Sequence, residues 1–265
     1  MTATPFQPLD FPGRPKIAIA GKGIAKRYGH VQALSDASVV VRSGELVALF
    51  GDNGAGKSTF LKTLLGIVTP DTGKIVVGDA EVKLSSVRDG QDLGVEAVYQ
   101  DLALAPELSV VDNMFLGHEK LRDGVAGKFG VLNRNHMAEK ADAALRDLSI
   151  KLPSLRVPIR DLSGGQKQAV AVARAVMWGH TAVLMDEPTA ALGARQSEIV
   201  CELMRNVARR GLGVLVVSHD LPRMLKVADT VTILWRGQTA TTAPAASLTV
   251  PEVVATMVGY TETAA

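Results

Sequence analysis

The sequence is poor in the features that would commit it to several common protein classes. It has one cysteine, Cys201, among 265 residues, so no intramolecular disulfide can form and a reducing, cytosolic setting is expected. Charge of one sign is scarce: 29 Lys and Arg against 27 Asp and Glu leave a formal net charge of +2. That excess is too small to make nucleic-acid binding the default reading. Long hydrophobic runs are missing as well. A spanning helix needs about 20 consecutive apolar residues, and the runs at 46–50, 182–185 and 214–217 are far shorter. Residues 1–15 (MTATPFQPLDFPGRP) are proline-rich and lack a basic start followed by an apolar stretch. They read as a loose leader rather than a signal peptide. No internal repeat is visible. His30, His118, His136 and His180 are scattered without metal-ligand spacing and read as surface or satisfied histidines. The pairs Lys26-Arg27 and Arg209-Arg210 read as solvated.

What the chain does have is enough apolar material for a sizeable core, 47% hydrophobic residues against 21% charged ones, and a regular alternation of elements. Short apolar runs bounded by glycine or charge occur at 45–50 (ELVALF), 74–78 (KIVVG), 181–187 (TAVLMDE), 213–219 (GVLVVSH) and 230–237 (TVTILWRG). Continuous β-branched runs of this length suit strands buried on both faces. Helical stretches at 57–65, 134–148, 164–178 and 194–210 lie between them, which predicts a mostly parallel sheet covered on both sides. The stretch 101–161 is mostly helical in pattern and interrupts the strand series, so it is read as a helical lobe inserted into an α/β domain spanning 16–245. Residues 246–265 read as a short last helix, capped by Ser247, and a tail. Cys201, among Ile199, Val200, Leu203 and Met204, reads as a small buried hydrophobe.

Chemistry concentrates in three places. Gly51-Asp52-Asn53-Gly54-Ala55-Gly56-Lys57-Ser58-Thr59 is a full P-loop, placed after one predicted strand and opening a helix. Its glycines let the backbone wrap so that N–H groups face a phosphate, with Lys57 as a point charge at the β/γ-phosphates and Ser58 as a hydroxyl for Mg²⁺. Asp186 and Glu187 end the TAVLMDE strand. The first can reach the metal's hydration shell and the second can polarise a water. Leu162-Ser163-Gly164-Gly165-Gln166 stands before the run KQAVAVARAVMW, where Ser163 is a good N-cap and the two glycines leave backbone N–H groups bare as a second anion site.

This ordered set resembles the ATP-binding cassette (ABC) family over nearly the whole chain. The resemblance implies a P-loop NTPase core with an N-terminal antiparallel β portion and ATP and Mg²⁺ as cofactors. It implies that Tyr28 stacks on adenine. Gln100, after VEAVY, becomes the glutamine that touches Mg²⁺ and the γ-phosphate region. His219, in VVSHD, becomes the switch histidine, and Glu187 the catalytic base. It also implies a head-to-tail pair in which Ser163, Gly164, Gly165 and Gln166 contact nucleotide held by the partner, so a single cassette needs a second copy. The segments GDNGAGKST, VYQDLALAPELSVVDNMFLG and DEPTAALG are similar to the ATP-binding subunits of bacterial monosaccharide importers, and nearest to the single-cassette fructose type. That implies transmembrane permease subunits, a periplasmic sugar-binding protein acting indirectly, no nucleic acid, and a peripheral place on the cytoplasmic face of the inner membrane. A mechanical nucleic-acid cassette would carry a long coiled-coil insertion in place of this compact lobe. A P-loop kinase would not need LSGGQ or the switch histidine. Two positions depart from the wider pattern: Gly193 ends the D-loop where aspartate is usual, and Thr230 follows Ala-Asp where arginine is common. The loop Ala105, Pro106 and Glu107 is the expected docking point for a membrane subunit, with Leu104, Leu108, Val111 and Phe115 at near-helical spacing around it.

Overall fold

The computed structural model describes residues 16–190 and 192–259. The leader reading at 1–15, the tail at 260–265 and Ala191 of the D-loop lie outside the described residues. In chain order, β1 (Ile17–Tyr28) and β2 (Val31–Arg42) are followed by β3 (Leu46–Gly51), α1 (Lys57–Leu64), β4 (Thr72–Val77), β5 (Ala80–Val82), α2 (Val87–Asp92) and β6 (Val95–Val98). The lobe carries α3 (Val110–Met114), α4 (Val125–Lys128) and α5 (Arg134–Asp147). The chain then returns through α6 (Gly164–Trp178), β7 (Ala182–Asp186), α7 (Ala194–Arg209), β8 (Gly213–Val217), α8 (Leu221–Val227), β9 (Thr230–Trp235), β10 (Gln238–Pro244) and α9 (Val250–Met257).

The strands run in the order β5-β4-β1-β2-β10-β9-β3-β8-β7-β6. Five of them, β6, β7, β8, β3 and β9, are mutually parallel. β1, β2, β4 and β5 form an antiparallel wing, whose β2 meets β10 in the single parallel pair Asp36 and Gln238, and β10 in turn lies antiparallel to β9 at the edge of the parallel half. In the parallel half, β3, β7 and β8 are the buried apolar runs expected of it, and the pleat explains how both faces are used. Leu46, Ala48, Phe50, Val214 and Val216 face one core with α6 and α7. Their neighbours Val47, Leu49, Leu215 and Val217 face a second core with α1 and the wing. Burying each large apolar side chain there contributes about 1.5–3 kcal/mol relative to leaving it exposed.

Four features differ from the sequence expectations. KIVVG lies in the antiparallel wing as β4, with only Ile75, Val76 and Val77 buried. The two long strands β1 and β2 escape the sequence reading, because their apolar runs, IAIA at 17–20 and VVV at 39–41, are short parts of strands otherwise carrying polar residues and glycine. The lobe holds less helix than its pattern suggests, because residues 101–109 form an irregular loop before Ser109 caps the short α3. The last helix is capped by Thr249, not Ser247. Both the N–H and the hydroxyl of Thr249 donate to Glu252 at 2.6 Å, while Ser247 lies in a 3₁₀ turn and donates to the Pro244 carbonyl. The acid three residues on decides the cap. Among the described residues no helix is long and apolar enough to cross a membrane.

Candidate functional site

The site forms where parallel strands end, the usual place for a ligand crevice in an open α/β sheet. β3 runs into the P-loop, β8 into Ser218 and His219, β7 into Glu187, and β6 toward Gln100. β8 and β7 are successive neighbours of β3 in the sheet, which is why residues far apart in sequence converge.

The P-loop requires glycine at two walls. A Cβ on Gly51 would lie 2.6 Å from the Leu234 carbonyl oxygen, and one on Gly56 would lie 2.6 Å from that of Ala33. Gly56 also holds φ 100°, a left-handed conformation, as the N-cap of α1, and no side chain caps that helix. The first amides of α1 are thereby left for an anion. Asp52, Asn53, Gly54 and Ser58 are exposed, whereas Ala55 is buried and Thr59 half-buried. Lys57 is buried and folds back on the loop, donating to the Gly51 carbonyl at 2.8 Å and the Asp52 carbonyl at 3.0 Å. Burial lowers its pKa, opposed by the negative charges of Glu187, Asp52 and Asp186. An ammonium held beside a glycine cradle, with only backbone carbonyls for partners, is a group ready to exchange them for phosphate oxygens.

Asp186 ends β7, and burial raises its carboxyl pKa, with the adjacent Glu187 adding to the effect and Lys62, Lys57 and His219 opposing it. Glu187 turns out of the strand with φ 49°, its N–H donating to the Val217 carbonyl at 2.9 Å. That turn separates it from Asp186 and brings its Oε1 to 3.0 Å from His219 Nε2. Gln100 lies on the surface within the turn that the Leu102 N–H closes onto the Tyr99 carbonyl.

The signature is built differently. Ser163 caps α6 reciprocally: its N–H donates to Gln166 Oε1 at 2.9 Å, and its Oγ accepts from the Gln166 N–H at 3.3 Å. Gly164 and Gly165 pass close to Leu192 and Gln196, where a Cβ would sit 3.3 and 3.2 Å from their side chains. Ser163, Gly165 and Gln166 border a cavity of about 440 Å³ against α7, and none of its lining residues belongs to the P-loop.

A family profile described as ABC transporter matches residues 34–190. Over 246 residues the chain is 42% identical to the fructose import ATP-binding protein FrcA of Rhizobium meliloti, covering 92% of this chain and 95% of that one. It is 43% identical over 217 residues to the xylose/arabinose import ATP-binding protein XylG of Sulfolobus acidocaldarius, covering 82% and 84%. The chain belongs to the ABC transporter family. Its fold agrees with the ADP conformation of MJ1267, an ATP-binding cassette of an ABC transporter, at TM-score 0.78 and 23% identity, covering 93% of this chain and 100% of that one.

Tyr28 ends β1 and is 47% exposed, and Lys26 Nζ lies 5.8 Å from the ring centroid. Gly193 is the N-cap of α7 and donates its N–H to Gln196 Oε1 at 3.0 Å. Thr230 donates its hydroxyl to Glu45 Oε1 at 2.5 Å, which gives that departure a local role in joining β9 to the start of β3. Val111 and Phe115 are buried in the core that the lobe shares with the sheet and α6, Leu104 packs against it in part, and Leu108 is exposed. Cys201 is buried, and burial pushes its thiol up to about 11.

Two polar residues escaped the sequence reading. Asn113 is fully buried, with Nδ2 donating to the carbonyls of Ala105, Leu108 and Ser109 and Oδ1 accepting from the Ala105 N–H. It shapes the loop at 105–109. Its signal is a lone amide inside the apolar run VVDNMFL. Arg174 is a lone charge in the run AVAVARAV, and its guanidinium reaches back to the loop after Gln100.

Proposed function

We propose that this chain is the ATP-hydrolysing subunit of a membrane importer for a monosaccharide of the fructose, ribose or xylose class. The observation that carries hydrolysis is the pairing of Glu187 with His219 at 3.0 Å beside a P-loop whose lysine is buried against its own backbone. The cargo reading is supported by near-full-length similarity to sugar import subunits.

The P-loop amides at 51–59 and Lys57 bind the phosphates, and Tyr28 stacks on adenine. Among the described residues no cluster of three or more His, Cys, Asp or Glu forms a protein cage for a metal. The donor set suits Mg²⁺ instead, which takes few protein ligands beside substrate phosphates. Ser58 would ligate it directly, with Asp186 and Gln100 nearby, and it would supply charge neutralisation on the phosphate oxygens. Glu187 orients the attacking water and accepts its proton. His219 donates Nε2–H to the Glu187 carboxylate and holds it in place. Ser163, Gly164, Gly165 and Gln166 of a second copy close over the nucleotide. The pair works on the cytoplasmic face of the inner membrane against permease subunits, with a periplasmic sugar-binding protein delivering cargo.

The test is uptake. The chain is co-purified with the permease it retains from membranes, reconstituted in vesicles, and supplied with labelled fructose, ribose and xylose. ATP-dependent accumulation of one of them, absent with Glu187→Gln, supports the reading. ATP turnover without accumulation of any of the three would leave an ABC ATPase serving another solute.

A further inference from the structure

The geometry points to Arg174 as a positioning residue for Gln100. We infer that it locks the loop carrying Gln100 to the signature helix, so that the two move as one body. α6 is capped by Ser163 and runs from Gly164 to Trp178, so Arg174 stands about 16 Å from the cap along the same rod. Its guanidinium donates through Nη1 to the Ala103 carbonyl at 2.8 Å and through Nη2 to the Leu102 carbonyl at 3.1 Å.

Those two acceptors are unusual. Leu102 and Ala103 are successive residues with φ 62° and 45°, a left-handed conformation that side-chain-bearing residues adopt rarely and hold only when their surroundings fix it. Turning both residues left-handed aims adjacent carbonyls at one side chain. A planar fork with two donors matches that arrangement, and a single ammonium does not. The bond from the Leu102 N–H to the Tyr99 carbonyl at 2.9 Å closes a turn around Gln100 and Asp101. Fixing the Leu102 carbonyl therefore fixes the backbone of Gln100. The titratable neighbours of Arg174 are the Glu96 carboxyl on β6 and the Tyr99 phenol, which burial keeps protonated, while its hydrogen bonds go to the loop carbonyls. Arg174 is half-buried in a cleft that it lines with Tyr99, Glu96 and Trp178. A shift of the signature helix is thus carried to Gln100 through one side chain. The catalytic consequence rests on the ATPase reading above, and the mechanical link does not.

The experiment uses the full chain as wild type, Arg174→Ala, Arg174→Lys, Gln100→Ala and the Gln100→Ala/Arg174→Ala double variant. Hydrogen–deuterium exchange without nucleotide tests the link itself. Amides at 99–104 should exchange at least about tenfold faster in Arg174→Ala, the scale of one lost charged hydrogen bond, with 51–59 unchanged. Equal exchange at 99–104 overturns the proposal, whatever the chain does with ATP. Steady-state ATP hydrolysis tests the consequence. Arg174→Ala should lower kcat about tenfold while KM changes less than about twofold, and Arg174→Lys should recover only part of the loss. In the Gln100→Ala background, removing Arg174 should cost nothing further. Equal losses in both backgrounds would mean general damage to the fold and sink the positioning role. A wild type without ATP turnover refutes the ATPase reading and leaves the exchange result to decide the link.

Discussion

The P-loop and the signature are both glycine-bearing entries into a helix, yet the fold treats them in opposite ways. At the P-loop the cap is a left-handed glycine with no side-chain oxygen to satisfy the helix, and the loop is walled in by the carbonyls of Ala33 and Leu234. At the signature, Ser163 and Gln166 satisfy each other, and Ser163 and Gly164 are exposed. The first is a socket complete within one chain, its lysine already inside. The second is a self-capped surface with nothing of the P-loop beside it in its cavity. Changes at the strand ends should therefore alter what an isolated chain does with ATP. Changes on the signature and lobe side should alter stability and assembly, save at Arg174, whose bonds to the Leu102 and Ala103 carbonyls tie it to the strand-end half.

The largest expected effect tests the strand-end half. Glu187→Gln keeps the shape and the hydrogen-bonding capacity toward His219 and removes the base. ATP affinity should hold while kcat falls at least about 10²-fold. Turnover above about a tenth of wild type would contradict the assignment. The same variant with ATP should form a stable dimer by light scattering, since closure is no longer undone by hydrolysis. Lys57→Ala should act one step earlier. Losing a charged hydrogen-bond donor to the phosphates costs about 1.5–3 kcal/mol, or about 10–100-fold in nucleotide Kd, read by titration calorimetry. An unchanged Kd would mean that Lys57 stays on the Gly51 and Asp52 carbonyls with nucleotide present.

The contrast also explains what the sequence makes legible. β3, β7 and β8 can be read from their apolar runs because burial on both faces leaves no place for a polar residue. The bounds of α6 follow from Ser163 and the trailing Gly179. β1 hides because Gly21, Lys22 and Gly23 interrupt it and register shifts at Gly21–Ile24 and beyond break its alternation. Gly21 is there for packing, since a Cβ would lie 2.7 Å from the Phe60 ring of α1. That reason belongs to a contact with a distant helix and leaves no local pattern. The order Gly51–Thr59, Gln100, Ser163–Gln166, Asp186-Glu187 and His219 is visible in the chain. The left-handed turn that sets Glu187 against His219 is not, because nothing about a glutamate announces positive φ. The cap of the last helix is a different case, because Glu252, three residues after Thr249, stands in the sequence and the Ser247 reading does not weigh it.

On the lobe side the next effect is purely structural. Asn113→Ala would leave the Ala105 N–H and several carbonyls without their buried partner. Stability should fall by about 2 kcal/mol, a drop of about 4–8 °C in Tm for a chain of this size, while nucleotide Kd stays at the wild-type value. A large change in Kd would break the division between the two halves. Ser163→Ala should cost less, about 1 kcal/mol for a lost N-cap. It should also reduce the ATP-dependent dimer of the Glu187→Gln background without changing nucleotide affinity of the monomer. Wild-type dimer yield would leave the signature serine a cap and nothing more.

The smallest effect on the isolated chain should come from Glu107→Arg, and its smallness makes it informative. Glu107 pairs with Arg160, and both side chains are more than half exposed. An exposed pair of this kind contributes about 0–1 kcal/mol, so Tm should move little. The loop itself is held by Asn113 and by the bond from the Arg160 N–H to the Pro106 carbonyl at 3.0 Å, neither of which needs the Glu107 carboxylate. Neither stability nor ATP turnover of the purified chain should therefore change beyond about twofold. What does change is the sign of the charge presented beside Ala105 and Pro106, on a loop that follows Gln100 in the chain and is tied through Arg160 to the segment entering Ser163. If that loop docks on a permease, reversing its charge introduces repulsion where attraction was selected, and transport in reconstituted vesicles should be lost while ATP turnover without permease is intact. Full transport with Glu107→Arg would remove this loop from the docking surface. It would confine the lobe's part to carrying the signature helix.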